Sequence, residues 1–234
     1  MPSVGFITEQ SVAGAISTGT HGSGRHSLSH YVQSIRVARY DRQTGNAVVE
    51  EIETGDALLA ARCSLGCLGV ILSVTMSCRP RYRVEEHFAE YDNLGEVIDA
   101  EDVYPICVRK ILPDDTLISM ACDAGSSSSS ESNEATAEPT NLTWYSITLT
   151  NYHRGSNRKP FEDFASFLAK SMAKLFQARP HWGKLCPLSP EELRGLYPAM
   201  DRFRKTVADA DPEGAFGNDW TQSLFVCVSR SKDA

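Results

Sequence analysis

Hydrophobic and polar positions change period several times along the chain. From Val32 to Tyr40 (VQSIRVARY) they alternate, which predicts a half-buried strand. Asp41 to Asn46 is turn chemistry, and Ala47 to Ile52 returns as a second strand, making a hairpin. Thr54-Gly55-Asp56 stops it, and Ala57 to Arg62 reads as a short helix. In Leu65 to Met76, Gly66 and Gly69 open an apolar, β-branched run, which predicts a glycine turn feeding a buried strand. Residues 84–104 are acidic and weakly patterned, a strand followed by a short helix. Pro105 to Leu112 is a strand that places Cys107 and Arg109 on one face, because side chains repeat every second residue. Pro113-Asp114-Asp115 is a turn. Residues 123–140, with five consecutive serines, carry too little apolar surface to offset ordering entropy and are expected to be a disordered insertion between two strands. The second of these is Leu142 to Tyr152, with Trp144, Ser146, Thr148 and Thr150 on one face.

The pattern then becomes helical. Pro160 suits a first turn, and Phe161, Phe164, Phe167, Leu168, Met172, Leu175 and Phe176 fall at helical spacing up to Ala178. Such an aromatic stripe predicts a core face. Ser189-Pro190-Glu191-Glu192 is a capping box opening a second helix to Lys205, with Leu193, Leu196, Tyr197, Met200 and Phe203 inward. Asp211-Pro212-Glu213-Gly214 closes it, and a polar tail follows.

Composition narrows the classes. The chain has 234 residues, 41% of them hydrophobic, with a net charge of -7. That supports a real core and argues against a nucleic-acid surface. No run of 18 apolar residues exists, and the N-terminus lacks signal-peptide regions, so an intracellular location is expected. Seven cysteines without a C-x-x-C pair predict reduced thiols packed as small apolar groups, and no metal site is expected.

The candidate chemistry gathers at Ile16 to Gly24 (ISTGTHGSG). Its composition predicts no packed core element. It suits a backbone that approaches a ligand closely, since glycine reaches positive φ cheaply and successive N–H groups can face an electron-rich partner. An ordinary Gly/Ser turn is the other reading.

Several stretches carry a family resemblance. Ser11 to Gly24 (SVAGAISTGTHGSG) resembles the second half of the flavin-binding domain of sugar-1,4-lactone oxidases, within the vanillyl-alcohol-oxidase-like flavoproteins. Arg62 to Thr75 is similar to the strand closing that domain. Pro105 to Arg109 with Asp114-Asp115 resembles the strand presenting a Glu-x-Arg pair. Arg179-Pro180-His181-Trp182-Gly183-Lys184 resembles the C-terminal His-Trp-x-Lys motif, and Tyr197-Pro198, Phe203 and Asp211 to Asn218 continue it. The nearest subgroup is that of the D-arabinono- and L-gulono-1,4-lactone oxidases.

The resemblance implies an α+β fold: the second half of a PCMH-type FAD-binding domain over residues 1–83, then a shortened substrate domain over 84–234. It implies FAD, a sugar lactone or polyol whose hydroxyl carbon gives hydride to the flavin, and oxygen as acceptor giving hydrogen peroxide. Gly19, Thr20, His21, Gly22, Ser23, Gly24, Ser27, Gly69 and Ile71 are the implied cofactor residues. Lys184 and Arg109 are the implied catalytic cations, and Ser23, Arg109 and Lys184 the implied substrate contacts. A fixed cation stabilises the reduced, anionic flavin ring. Association with a membrane, mitochondrial in some relatives, is implied by family alone. Three departures accompany the match. The pyrophosphate-binding half-domain has no counterpart here, the segment between Arg83 and Ile106 is short, and Cys107 stands where the family has the Glu of Glu-x-Arg. A shortened member is expected. The alternatives are a non-catalytic binding module descended from the family and, more remotely, a thiol hydrolase built on Cys107 or Cys186.

Overall fold

The computed structural model describes residues 1, 3, 5, 7, 9–80, 83, 106–123, 143–150 and 157–225. Helix α1 (Val12–Ser17) begins at Ser11, whose hydroxyl accepts from the Gly14 N–H at 3.1 Å. It ends where Gly19 turns left-handed at φ 67°. There the Gly19 N–H returns to the Ile16 carbonyl and the Thr20 N–H to the Ala15 carbonyl, the paired bonds of a Schellman stop. The first glycine of the Gly-rich stretch therefore terminates a helix. The stretch also contributes to the core, against the expectation from its composition: Ile16, Ser17, Thr20 and His21 are buried. Burial is possible because partners exist inside. The Ser29 hydroxyl donates to the Ile16 carbonyl at 2.7 Å, and the Leu65 N–H donates to the Ser17 carbonyl.

A single 3-10 turn (Leu28–Tyr31) leads into β1 (Val32–Tyr40), and β2 (Ala47–Ile52) returns antiparallel with Ile35 opposite Ile52. Both strands have the bounds that their alternation predicts. Helix α2 (Gly55–Ala61) buries Leu58, Ala60 and Ala61. β3 (Val70–Met76) joins the far side of β1, giving an antiparallel sheet ordered β2-β1-β3. The glycine turn before it is present, with Gly66 and Gly69 at positive φ. The strand itself is not buried: it lies at the sheet edge, with Val70 56% and Leu72 51% exposed. An apolar β-branched run reads the same at an edge as in a centre, because its place in the sheet is not written in its periodicity.

β4 (Ile106–Ile111) and β5 (Trp144–Leu149) form a second antiparallel pair, with Cys107 opposite Thr148, Arg109 opposite Ser146 and Ile111 opposite Trp144. Cys107 and Arg109 share a face as expected. The expected elements in 84–104, and residues 124–140 of the serine-rich insertion, lie outside the described residues.

Helix α3 (Lys159–Phe176) carries Pro160 in its first turn and closes at Gln177, which is left-handed at φ 55°. Its aromatic stripe is not in the core. Phe167 and Leu175 are each 70% exposed, and Ala173 is its buried residue. Helix α4 (Pro190–Leu196) opens on the predicted capping box. The expected single helix to Lys205 is two, because Pro198 lacks an N–H and pushes Tyr197 into extended backbone at ψ 99°. Helix α5 (Met200–Ala210) follows, and the predicted inward residues of both helices are buried. In place of a polar tail, α6 (Asp219–Phe225) buries Thr221 and Leu224.

The molecule mixes helix and sheet in an α+β arrangement. One hydrophobic cluster holds Ile16, Val32 and Ile35 together with Leu117, Trp182, Tyr197 and Phe203. Residues on both sides of position 83 thus share a core. Among the described residues, no helix is long and apolar enough to cross a membrane.

Candidate active site

Three segments far apart in sequence meet at one place. The first is the Gly-rich turn. Past its exposed corner at Ser23 and Gly24, the Gly24 N–H donates to the Lys110 carbonyl at 2.7 Å, and the Leu112 N–H donates to the Arg25 carbonyl. Arg25 also bridges Ile111 in parallel, so this segment runs along β4 as a short extra strand. That pairing brings half-buried Arg109 toward His21, whose imidazole feels the Arg109 charge.

The third segment is Arg179 to Lys184. The guanidinium of Arg179 is clamped. It donates to the carbonyls of Leu196, Met120 and Cys122 at 2.9, 3.2 and 2.8 Å, and lies over the rings of Trp144 and Tyr197 at 4.4 and 4.7 Å. Two residues on, the Trp182 indole donates to the Ile118 carbonyl at 2.6 Å, with its ring stacked on Tyr197. These anchors fix His181 between them, 5.4 Å centroid to centroid from His21. The Lys184 N–H donates to the His181 carbonyl, and the Lys184 side chain is exposed.

The hydrogen bonds assign the two imidazoles complementary forms. His21 Nδ1 lies 3.0 Å from the Gly22 carbonyl, which can only accept, so Nδ1 carries the proton and Nε2 is the acceptor. His181 Nδ1 accepts from the Gly183 N–H at 3.0 Å, so in the neutral ring Nε2 carries the proton. Both are held neutral near pH 7. Burial, then His21 and Lys184, press His181 down to about 4. Burial lowers His21, the bond to Gly22 opposes that, and Arg109 lowers it further.

The two histidines stand at the end of a cavity of about 620 Å³. Its long walls are the aromatic face of α3, with Phe161, Phe164, Leu168 and Met172, and the β5 side chains Trp144 and Ile147. The stripe expected in the core is a cavity wall.

The remaining expected site residues divide. The Thr20 and Gly22 N–H groups are spent inside the protein, on the Ala15 carbonyl and the Ser3 hydroxyl. Ser27 is buried, and its hydroxyl donates to Asp114 at 2.7 Å. That carboxylate also accepts from the Ser119 hydroxyl and from both the N–H and hydroxyl of Thr116, which fixes the turn after β4. Gly69 sits at φ 128°, where a Cβ would meet the Ala38 carbonyl at 2.7 Å, and Ile71 pairs with Val37. Both serve the β1–β3 contact and stand apart from the cavity lining. His181 and Arg179 were present in sequence only as parts of a motif, and nothing local marked either as a site residue. As for the cysteines, burial raises the Cys63, Cys67 and Cys186 thiols, Cys67 to about 11, which is the opposite of what a nucleophilic thiolate needs.

The sequence profile of the family described as D-arabinono-1,4-lactone oxidase matches residues 77–224. A long-chain alcohol oxidase from an uncultured marine euryarchaeote is 31% identical over 381 aligned positions, taking in 95% of this chain and 76% of the relative. That alignment is longer than the chain of 234 residues, so the relative carries segments with no counterpart here. L-gulonolactone oxidase of Bos taurus is 31% identical over 105 residues, 44% of this chain and 23% of that enzyme. D-arabinono-1,4-lactone oxidase of Debaryomyces hansenii is 34% identical over 96 residues, 39% of this chain and 17% of the relative. The chain thus spans less than a quarter of these two lactone oxidases.

Proposed function

The chain belongs to the D-arabinono-1,4-lactone oxidase family of oxidoreductases, and from that premise we propose that it is a flavin-linked oxidase of a carbon-bound hydroxyl. By family, the substrate is an aldonolactone or polyol, FAD takes the hydride, and oxygen reoxidises the flavin to give hydrogen peroxide. On the same reading, residues 1–83 are part of a PCMH-type flavin domain and residues 84–234 a shortened substrate domain.

The observation that carries this reading is the convergence of the Gly-rich turn, β4 and the Arg179–Lys184 segment on His21 and His181. The residues present suit one edge of a flavin. Ser23 and Gly24 are exposed, and the space a Cβ would take at Gly24 is open. Gly24, Ser23 and His21 would line the ring's edge, with Arg109 and Lys184 as the nearby positive charges. FAD, when bound, supplies the hydride acceptor. Arg109 and Lys184 supply preorganised positive charge where negative charge develops. His21 Nε2 is placed to accept the hydroxyl proton as the carbon–hydrogen bond breaks, and its depressed basicity keeps it ready to do so near neutral pH. His181 Nε2–H donates to the same oxygen and orients it.

The test is reconstitution. Purified protein incubated with FAD and desalted should retain a flavin absorbance band. Anaerobic L-gulono- or D-arabinono-1,4-lactone should then bleach it. Lys184→Ala should slow that bleaching more than tenfold. Colourless protein, or flavin that no hydroxyl substrate reduces, overturns the reading.

A further inference from the structure

We infer that the cavity between α3 and the β4–β5 pair binds the apolar body of a neutral alcohol, with its hydroxyl at the His21–His181 end. This rests on the oxidase reading and narrows its substrate class, from a polyhydroxy sugar to an alcohol with a hydrocarbon body.

Three observations lead there. The first is size and shape: about 620 Å³, enclosed by a helix face on one side and a strand on the other, is the scale of a small-molecule site. The second is the lining. Phe161, Phe164, Leu168, Met172, Trp144 and Ile147 present rings, methylenes and a thioether. A sugar lactone carries a hydroxyl on nearly every carbon. Each one placed against these walls would give up water without gaining a partner, at roughly 1–3 kcal/mol apiece. A hydrocarbon chain meets no such cost and gains from its own burial.

The third is the polar end. A hydroxyl both donates and accepts, and the two histidines offer one nitrogen of each kind: His21 Nε2 accepts and His181 Nε2–H donates. Arg179 also lines this end, but its guanidinium is occupied by three carbonyls and two ring faces. No uncommitted charge among the lining residues calls for a carboxylate headgroup. Depressed basicity of both imidazoles agrees with a neutral ligand.

Binding is measured on the full chain, with and without added FAD, by calorimetry and tryptophan fluorescence. The probes are 1-dodecanol, dodecanoate and L-gulono-1,4-lactone at pH 7.5. The expected result is saturable 1-dodecanol binding at least tenfold tighter than either other probe. Ala165→Phe, which fills the cavity from α3, should weaken it tenfold or more, and Leu168→Phe on the same wall gives an independent reading if the first variant misfolds by circular dichroism. Phe167→Ala should change nothing, because Phe167 is exposed on α3 but off the cavity. Absent or non-saturable dodecanol binding, tighter dodecanoate binding, or weakening by Phe167→Ala alone each overturns the inference. Dodecanol binding in a protein that never takes up FAD keeps the cavity assignment and removes the oxidase. Lactone-driven flavin reduction without dodecanol binding does the reverse.

Discussion

At the scale of single residues, Arg179 organises the site more than any residue the sequence singled out. Its planar fork satisfies carbonyls from two segments while its faces carry Trp144 and Tyr197, which a flexible ammonium cannot reproduce. Arg179→Lys should keep the charge and lose most of the stabilisation. Arg179→Ala should cost about 3 kcal/mol, since it strands buried carbonyls as well as removing the rings' partner. Urea denaturation midpoints of both variants check this, and a cost under about 1 kcal/mol for Arg179→Ala would show that the clamp is dispensable. Lys184 was legible only by family likeness. As an exposed lysine it has no local mark that separates it from any solvated charge.

At the scale of elements, strands β1 and β2 and helix α3 were legible with their bounds nearly complete, because period and punctuation are local properties. Burial was not. The same apolar period placed β3 at an edge and left α3 walling a cavity. Gly69 shows how a site-like glycine acquires a structural reason. It lies where β3 leaves its turn and passes close to the β1 backbone, at a φ that L side chains rarely adopt. Gly69→Ala should destabilise by about 2–4 kcal/mol through strain and the clash with the Ala38 carbonyl. Flavin retention by the folded fraction should be unaffected. A variant as stable as the parent that fails to hold FAD would return Gly69 to the cofactor site.

At the scale of the whole molecule, acid sensitivity follows from the buried histidine pair. An unfolded imidazole protonates near 6.5, whereas folded His181 resists until about 4. Between those values the unfolded state binds more protons, so stability falls as pH drops from 6.5 to 4, by on the order of 2–3 kcal/mol, and His21 adds in the same direction. Lower down, Asp115 takes over. Burial raises its carboxyl, but His30 and Arg62 outweigh that and hold it at about 2, so its contribution is lost as pH falls from the ordinary carboxylate range toward 2. Urea midpoints across pH 4–7 should show the upper slope, and His181→Asn should flatten it. An unchanged slope in that variant would place the titration elsewhere. The sequence by itself determined the elements, their punctuation and the family, because period, caps and motif order are carried by neighbouring residues. Only the tertiary structure decided that His21, Arg109 and His181 stand together, that Ser27 serves a buried carboxylate, and that the α3 stripe faces an open cavity. Those outcomes depend on which surfaces pack against each other, and a residue's partner from a hundred positions away leaves no trace in its local pattern.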